Sequence, residues 1–170
     1  MTYAALSGIL KNMKAVIVIL SILTFLLPQS VKSSSVIPDY VIEASKEFKI
    51  DVALLYAICS VESKCKSKIN HDDGTQDQKS QGIVSKSYGM FQIKVTTAKG
   101  LGFKSGPKDL LRPDINTWYA AKLLRHLYDR YGDTEKVVSA YNAGRYVKSN
   151  KPYVNQVLTN YAKYKIDLGL

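Results

Sequence analysis

Cysteine is nearly absent. Two residues in a chain of 170 are too few for a disulfide-built scaffold or a four-thiolate zinc site. Acidic residues are scarce as well, 14 Asp and Glu against 24 Lys and Arg, which leaves a formal net charge of +10. No apolar run reaches the ~20 residues of a membrane-spanning helix. Sustained strand alternation is missing, and so are internal repeats and a second domain boundary. At about 100–200 residues per domain, the length allows one compact domain and excludes an elaborate multidomain machine. Tyrosine, by contrast, is plentiful. Twelve Tyr beside a single Trp are more aromatic hydroxyls than a core of this size needs, and the surplus points to a cleft. With 46% hydrophobic and 22% charged residues, the body of the chain can bury a core.

The longest apolar run, AVIVILSILTFLL from Ala15 to Leu27, fits a secretory h-region, which needs roughly 7–15 residues. Lys11 and Lys14 form a positive n-region, Pro28 ends the run, and small residues follow at Ser30 and Ser33–Ser35. The expectation is a signal peptide over 1–35, with Met13 as an alternative start, and an exported domain over 36–170, periplasmic or secreted. The alternative is an uncleaved, tilted anchor, through which alone the chain would meet a membrane. No Cys lies near the cleavage region, which argues against a lipid-anchored amino terminus. The leader holds Lys11, Lys14 and Lys32 but no acid, so the remainder stays basic. A basic exported protein is drawn to anionic polymers, among them cell-wall glycans with their peptide carboxylates. Nucleic acid is not expected, because the lysines are spread singly and form no Arg-rich stripe.

The rest reads as a series of short helices. Pro38 and Asp39 open one through Phe48, and Asp51 caps another over Val52–Ser63. The second is apolar all round, so it should be the buried central helix. Residues 64–86 are polar and hold Gly74 and Gly82, which predicts a long surface loop. Ser87 should cap a short helix through Ile93, and Thr96 or Thr97 another. Asp114 precedes a helix from Ile115 to Tyr131 that Gly132 ends. Asp133 caps Thr134–Ala143, Gly144 stops it, and Pro152 opens a last helix toward Tyr164. The fold class is mainly α.

Glu62 is the residue of greatest chemical interest. Leu55, Cys59 and Glu62 fall at i, i+4 and i+7, so the carboxylate continues an apolar stripe. It also sits in the last turn, where the helix dipole disfavours an anion. Burial and dipole would both raise its pKa, the condition for an acid that keeps a proton near neutrality. The bland alternative is a Glu62 turned into solvent beside Lys64. In Ser87–Ile93, Gly89 suggests close approach of a ligand or another backbone, and Gln92 offers a donor and an acceptor. Packing through Gly89, with Gln92 satisfied by nearby backbone, is the competing account. Asn142, beside Tyr141, can donate to and accept from a sugar, or be an incidental amide at a helix end. Tyr153 follows Pro152 on the first turn of the final helix. Cys59 and Cys65 are too far apart on one continuous helix, at about 9–10 Å, to bridge. A helix that ends near Ser63 lets the chain turn back, so the spacing leaves a disulfide open. His71-Asp72-Asp73-Gly74 with Asp77 lacks the spacing of a cation loop and reads as a polar turn, and His126 reads as a structural helix residue.

The order of these pieces is specific. Ala57-Ile58-Cys59-Ser60-Val61-Glu62-Ser63, Ser87-Tyr88-Gly89-Met90-Phe91-Gln92-Ile93, Ala140-Tyr141-Asn142-Ala143-Gly144 and Tyr153-Val154 occur in that sequence. Over roughly residues 38–164 the chain resembles the lytic transglycosylase domain of the goose-type-lysozyme-like fold. That resemblance implies a lysozyme-like domain in which Glu62 is the lone catalytic acid and base. It implies that Ser87, Gln92, Tyr141, Asn142 and Tyr153 line a groove for peptidoglycan strands, with no metal and no cofactor. Met90-Phe91 stands where Leu-Met is common, and the stretch from Ile69 to Lys86 is longer than in many members. Two alternatives stand beside that reading, the first with the same fold. One is a hydrolytic muramidase whose water is positioned by Asp72, Asp73 or Asp77. The other is a non-catalytic glycan-binding module that recruits an envelope-spanning secretion or conjugation apparatus.

Overall fold

Asp51 determines where the central helix begins. Its backbone is extended and its carboxylate accepts the Ala53 N–H at 2.8 Å, which satisfies one of the unpaired donors of the first turn. The computed structural model describes residues 37–72 and 85–170; the leader, Asp73 and Asp77 lie outside them. The described residues form six α-helices: α1 (Asp39–Phe48), α2 (Val52–Ser63), α3 (Val95–Gly100), α4 (Pro113–Tyr131), α5 (Thr134–Ala143) and α6 (Lys151–Asp167). A 3₁₀ turn over Pro107–Leu111 precedes α4. The fold is mainly α, as expected.

Helix α2 is the buried centre. Leu54, Leu55, Ala57 and Ile58 are at most 1% exposed, and full burial of a leucine or isoleucine side chain is worth about 1.5–3 kcal/mol. It packs on α6, α1 packs on α4, and α5 joins α4 to α6. Gly132 and Gly144 end α4 and α5 in the left-handed region, and Asp133 caps α5 by accepting the Lys136 N–H at 2.9 Å. Helix α4 begins two residues before Ile115, with Asp114 inside its first turn.

Two expectations are corrected. The supposed loop over 64–86 contains strand β1 (Ile69–Asp72) and the start of β2 (Ser85–Tyr88). The segment Ser87–Ile93 is not a helix: it finishes β2, turns at 89–92 and enters β3 (Ile93–Lys94). The three strands form an antiparallel sheet in the order β1-β2-β3. A helix fails here because Gly89 and Gln92 both take positive φ, 77° and 51°. Side chains from elsewhere then take up the backbone groups that helix bonds would have used. The strands are short and their sequences, INHD and SKSY, show no alternation of apolar and polar residues.

Asp51 does more than cap. Its other oxygen accepts from the Tyr161 hydroxyl at 2.8 Å and from Lys165 Nζ at 3.2 Å, both on α6. Burial opposes its charge, yet the hydrogen bonds from Tyr161, Ala53 and Lys165 outweigh it and hold the carboxyl below its ordinary 3.8. Asp51→Ala is therefore expected to cost about 1–2 kcal/mol at neutral pH. A depressed carboxyl contributes stability that is present above the ordinary value and lost as pH falls through the lowered one. The gap between wild type and Asp51→Ala in urea midpoint should accordingly narrow below about pH 4. A gap that stays constant across that range would refute the linkage.

Candidate active site

Glu62 occupies the final turn of α2, half-buried, one residue before the helix ends. The chain then reverses sharply. Lys64 and Cys65 are both left-handed, and the Cys65 N–H returns to the Cys59 carbonyl at 3.0 Å. That reversal brings the two Cα atoms to 4.8 Å, and Cys59 and Cys65 are joined as a disulfide. The pairing that spacing left open is thus made by the helix end itself. The disulfide spans Glu62 and ties the segment after it back to the helix.

Tyr153, on the first turn of α6, donates its hydroxyl to Glu62 Oε1 at 2.6 Å. Burial pushes this phenol far above its usual range, and the Glu62 carboxylate beside it pushes further. It stays a proton donor throughout the working range of any enzyme. Tyr141, on α5, is raised in the same way by burial and then by Glu62, but its hydroxyl goes elsewhere. It donates to the Phe91 carbonyl at 2.8 Å. One tyrosine therefore holds the acid, and the other holds the 89–92 turn.

Two further side chains hold that turn, neither of which stood out in the sequence. Ser63, next to Glu62, donates to the Met90 carbonyl at 2.6 Å. Asn116, fully buried on α4, accepts the Phe91 N–H at 2.8 Å and donates to the Tyr88 carbonyl at 2.9 Å. Asn116 sits in INTWYAA, where nothing distinguishes a buried amide from an exposed one. The Gly89 N–H reaches the Lys68 carbonyl at 2.8 Å.

These supports surround a cleft of about 440 Å³ whose wall includes Glu62, Ser87, Gln92, Tyr141 and Asn142. Five of the six residues singled out in the sequence thus share one wall, and Tyr153 reaches the site through its bond to Glu62. Ser87 is buried, whereas Asn142 is exposed and accepts from Asn150 at 3.2 Å. Gln92 donates through Nε2 to the Gly89 carbonyl at 2.6 Å, and its Oε1 is buried without a partner. Asn70, Lys94 and Thr97 also line the cleft. Asn70 and Lys94 escaped the sequence reading because their strands did; Thr97, expected with Thr96 as a possible helix cap, lies inside α3, whose N-cap is Lys94. His126, expected to be structural, lies on the exposed side of α4. Glu62 is the one carboxylate among the described residues of the wall.

The chain is similar to known proteins in sequence and in fold. The family model of the transglycosylase SLT domain matches residues 39–160. Invasion protein IagB of Salmonella typhimurium is 33% identical over 129 residues, covering 73% of this chain and 76% of that protein. Protein IpgF of Shigella flexneri is 31% identical over 125 residues, covering 72% and 76%. Among solved structures, an inactive mutant of the lytic transglycosylase Slt from Pseudomonas aeruginosa superposes with a TM-score of 0.62 at 17% identity. That match covers 84% of this chain and 25% of the larger protein, so it speaks to the fold.

Proposed function

Since the chain belongs to the transglycosylase SLT family, we propose that it is a peptidoglycan lytic transglycosylase with Glu62 as its single acid and base. The observation that carries this reading is Glu62 itself, the one carboxylate on the described cleft wall, held there by the Tyr153 hydroxyl at 2.6 Å. Most glycosidases place two carboxyl groups across the scissile bond, one as acid and one as base or nucleophile. Glu62 is the one carboxylate on the described wall, which supports a route in which the substrate's own N-acetyl group takes the second part.

Glu62 gives its proton to the oxygen between N-acetylmuramic acid and N-acetylglucosamine, and the bond from the anomeric carbon to that oxygen breaks. The neighbouring N-acetyl group stabilises the positive charge left on the anomeric carbon. The muramic C6 hydroxyl then attacks that carbon and passes its proton back to Glu62, which closes a 1,6-anhydro ring and restores the acid. Tyr153 orients the carboxyl through both steps. Ser87, Gln92, Tyr141 and Asn142 form the sugar-binding wall. The buried, unpaired Oε1 of Gln92 suits an N–H or O–H of the sugar, since leaving such an acceptor unmet is costly.

Export through the leader 1–35 belongs to the same proposal, because the substrate lies outside the cytoplasmic membrane. The likeness to a protein named for invasion favours a role in opening the wall locally for an envelope-spanning apparatus. The test is mass spectrometry of muropeptides released from purified sacculi. Products ending in 1,6-anhydromuramic acid are expected. Reducing muramic ends alone would establish the muramidase, and strand binding without release would establish the non-catalytic module.

A further inference from the structure

Register across the small sheet brings together three cleft residues from three separate stretches of chain. Asn70 on β1 pairs with Ser87 on β2, and Ser87 pairs with Lys94 on β3. Residues directly opposed across antiparallel strands share a face, so the three side chains form one rung. All three line the cleft that holds Glu62. The rung runs from an amide through a buried hydroxyl to an exposed ammonium.

The two neutral members suit sugar hydroxyls. A cation gains little from a neutral hydroxyl that water would not supply, but it gains from an anion. The position of Lys94 is also well determined. Its backbone is paired to Ser87 on one side and forms the N-cap of α3 on the other. Buried Ile93 before it and buried Ala98 after it anchor both flanks in the core. An ammonium offers three donors, so a ligand carboxylate adds to the contacts that Lys94 already makes within the protein.

We propose that Lys94 is a specificity-determining residue that holds a carboxylate on the lactyl arm of the muramic sugar bound in the cleft. The inference rests on the peptidoglycan reading above and goes beyond it, to which strands are preferred. That carboxylate has two sources: the lactyl group itself in strands stripped of peptide, or the stem peptide in intact ones. Glycan strands without an anionic substituent are poorer substrates.

The experiment uses purified glycan strands in three forms: peptide-bearing, peptide-free with the lactyl carboxylate, and peptide-free with that carboxylate capped as an amide. Wild-type protein should show a kcat/KM about fivefold higher on a carboxylate-bearing form than on the capped one, the scale of a partly exposed ion pair. Lys94→Gln should erase the preference by lowering kcat/KM on the charged strands to its value on the capped ones, while Lys94→Arg should keep it. Raising salt from ~0.05 M to ~0.5 M should flatten the wild-type preference in the same way. Which of the two charged forms is favoured identifies the source of the carboxylate. An equal loss on capped and charged strands in Lys94→Gln would overturn the inference. If no form is cleaved, the proposed reaction fails, and Kd for the same three strands then tests Lys94 separately. Equal Kd values for charged and capped strands would overturn it.

Discussion

Glu62→Gln is expected to fold and melt like the wild type, to bind glycan strands, and to lose lytic activity by about 10²–10⁴-fold. Glutamine has nearly the same shape, and its side-chain oxygen still accepts the Tyr153 hydroxyl that now meets Glu62 Oε1 at 2.6 Å. The helix end should not register the change. Ser63 keeps its bond to Met90, and the Cys59–Cys65 disulfide still closes the turn beyond it. What glutamine cannot do is release a proton to the glycosidic oxygen and recover one from the C6 hydroxyl. Both halves of the reaction use this one group, so its loss is not shared with a second carboxylate. The effect should appear in kcat, with Kd for strands near the wild-type value. The measurements are turbidity loss of sacculi, strand binding and thermal melting on one preparation. Lysis at the wild-type rate would place the acid elsewhere.

Most of the helical frame was legible in the sequence, for local reasons. Asp51 and Asp133 cap helices through their own side chains, and Gly132 and Gly144 stop helices by taking left-handed conformations. Glu62 was legible because the apolar stripe of Leu55 and Cys59 runs into it. Residues 64–72 and 85–94 were opaque because their conformation is imposed from a distance. Ser63, Asn116 and Tyr141 lie 27, 25 and 50 residues from the groups they bind in the 89–92 turn. No local pattern encodes such partners. The same distance hid Asn70 and Lys94, which belong to the site only through a register that the sequence does not display. Tyr153 was found through its place in a known pattern of blocks, whereas its contact with Glu62 spans 91 residues and needed the fold.

The 89–92 turn supplies the other large expected effect, at Gly89. Its φ of 77° lies in the left-handed region, which costs a residue with a Cβ about 1–2 kcal/mol. Space is the harder obstacle. A Cβ at Gly89 would run into the Asn116 carboxamide and the Leu110 carbonyl. Leu110 is fully buried within the 3₁₀ turn, so its backbone cannot retreat. Asn116 is equally fixed, since both ends of its amide are bound, to the Phe91 N–H and the Tyr88 carbonyl. Relief would require breaking those bonds, which would leave a buried amide unsatisfied and free the turn that carries Gln92. Gly89→Ala should therefore cost about 2–5 kcal/mol, a large share of a total stability of about 5–15 kcal/mol. Gly132→Ala is the control. Gly132 has a similar φ of 67°, but a Cβ there would meet nothing within 4 Å, so its cost should be about 1 kcal/mol. Urea midpoints of the two variants against the wild type separate conformational strain from collision. If Gly89→Ala unfolds no earlier than Gly132→Ala, the close packing of Asn116 against Gly89 does not hold the turn.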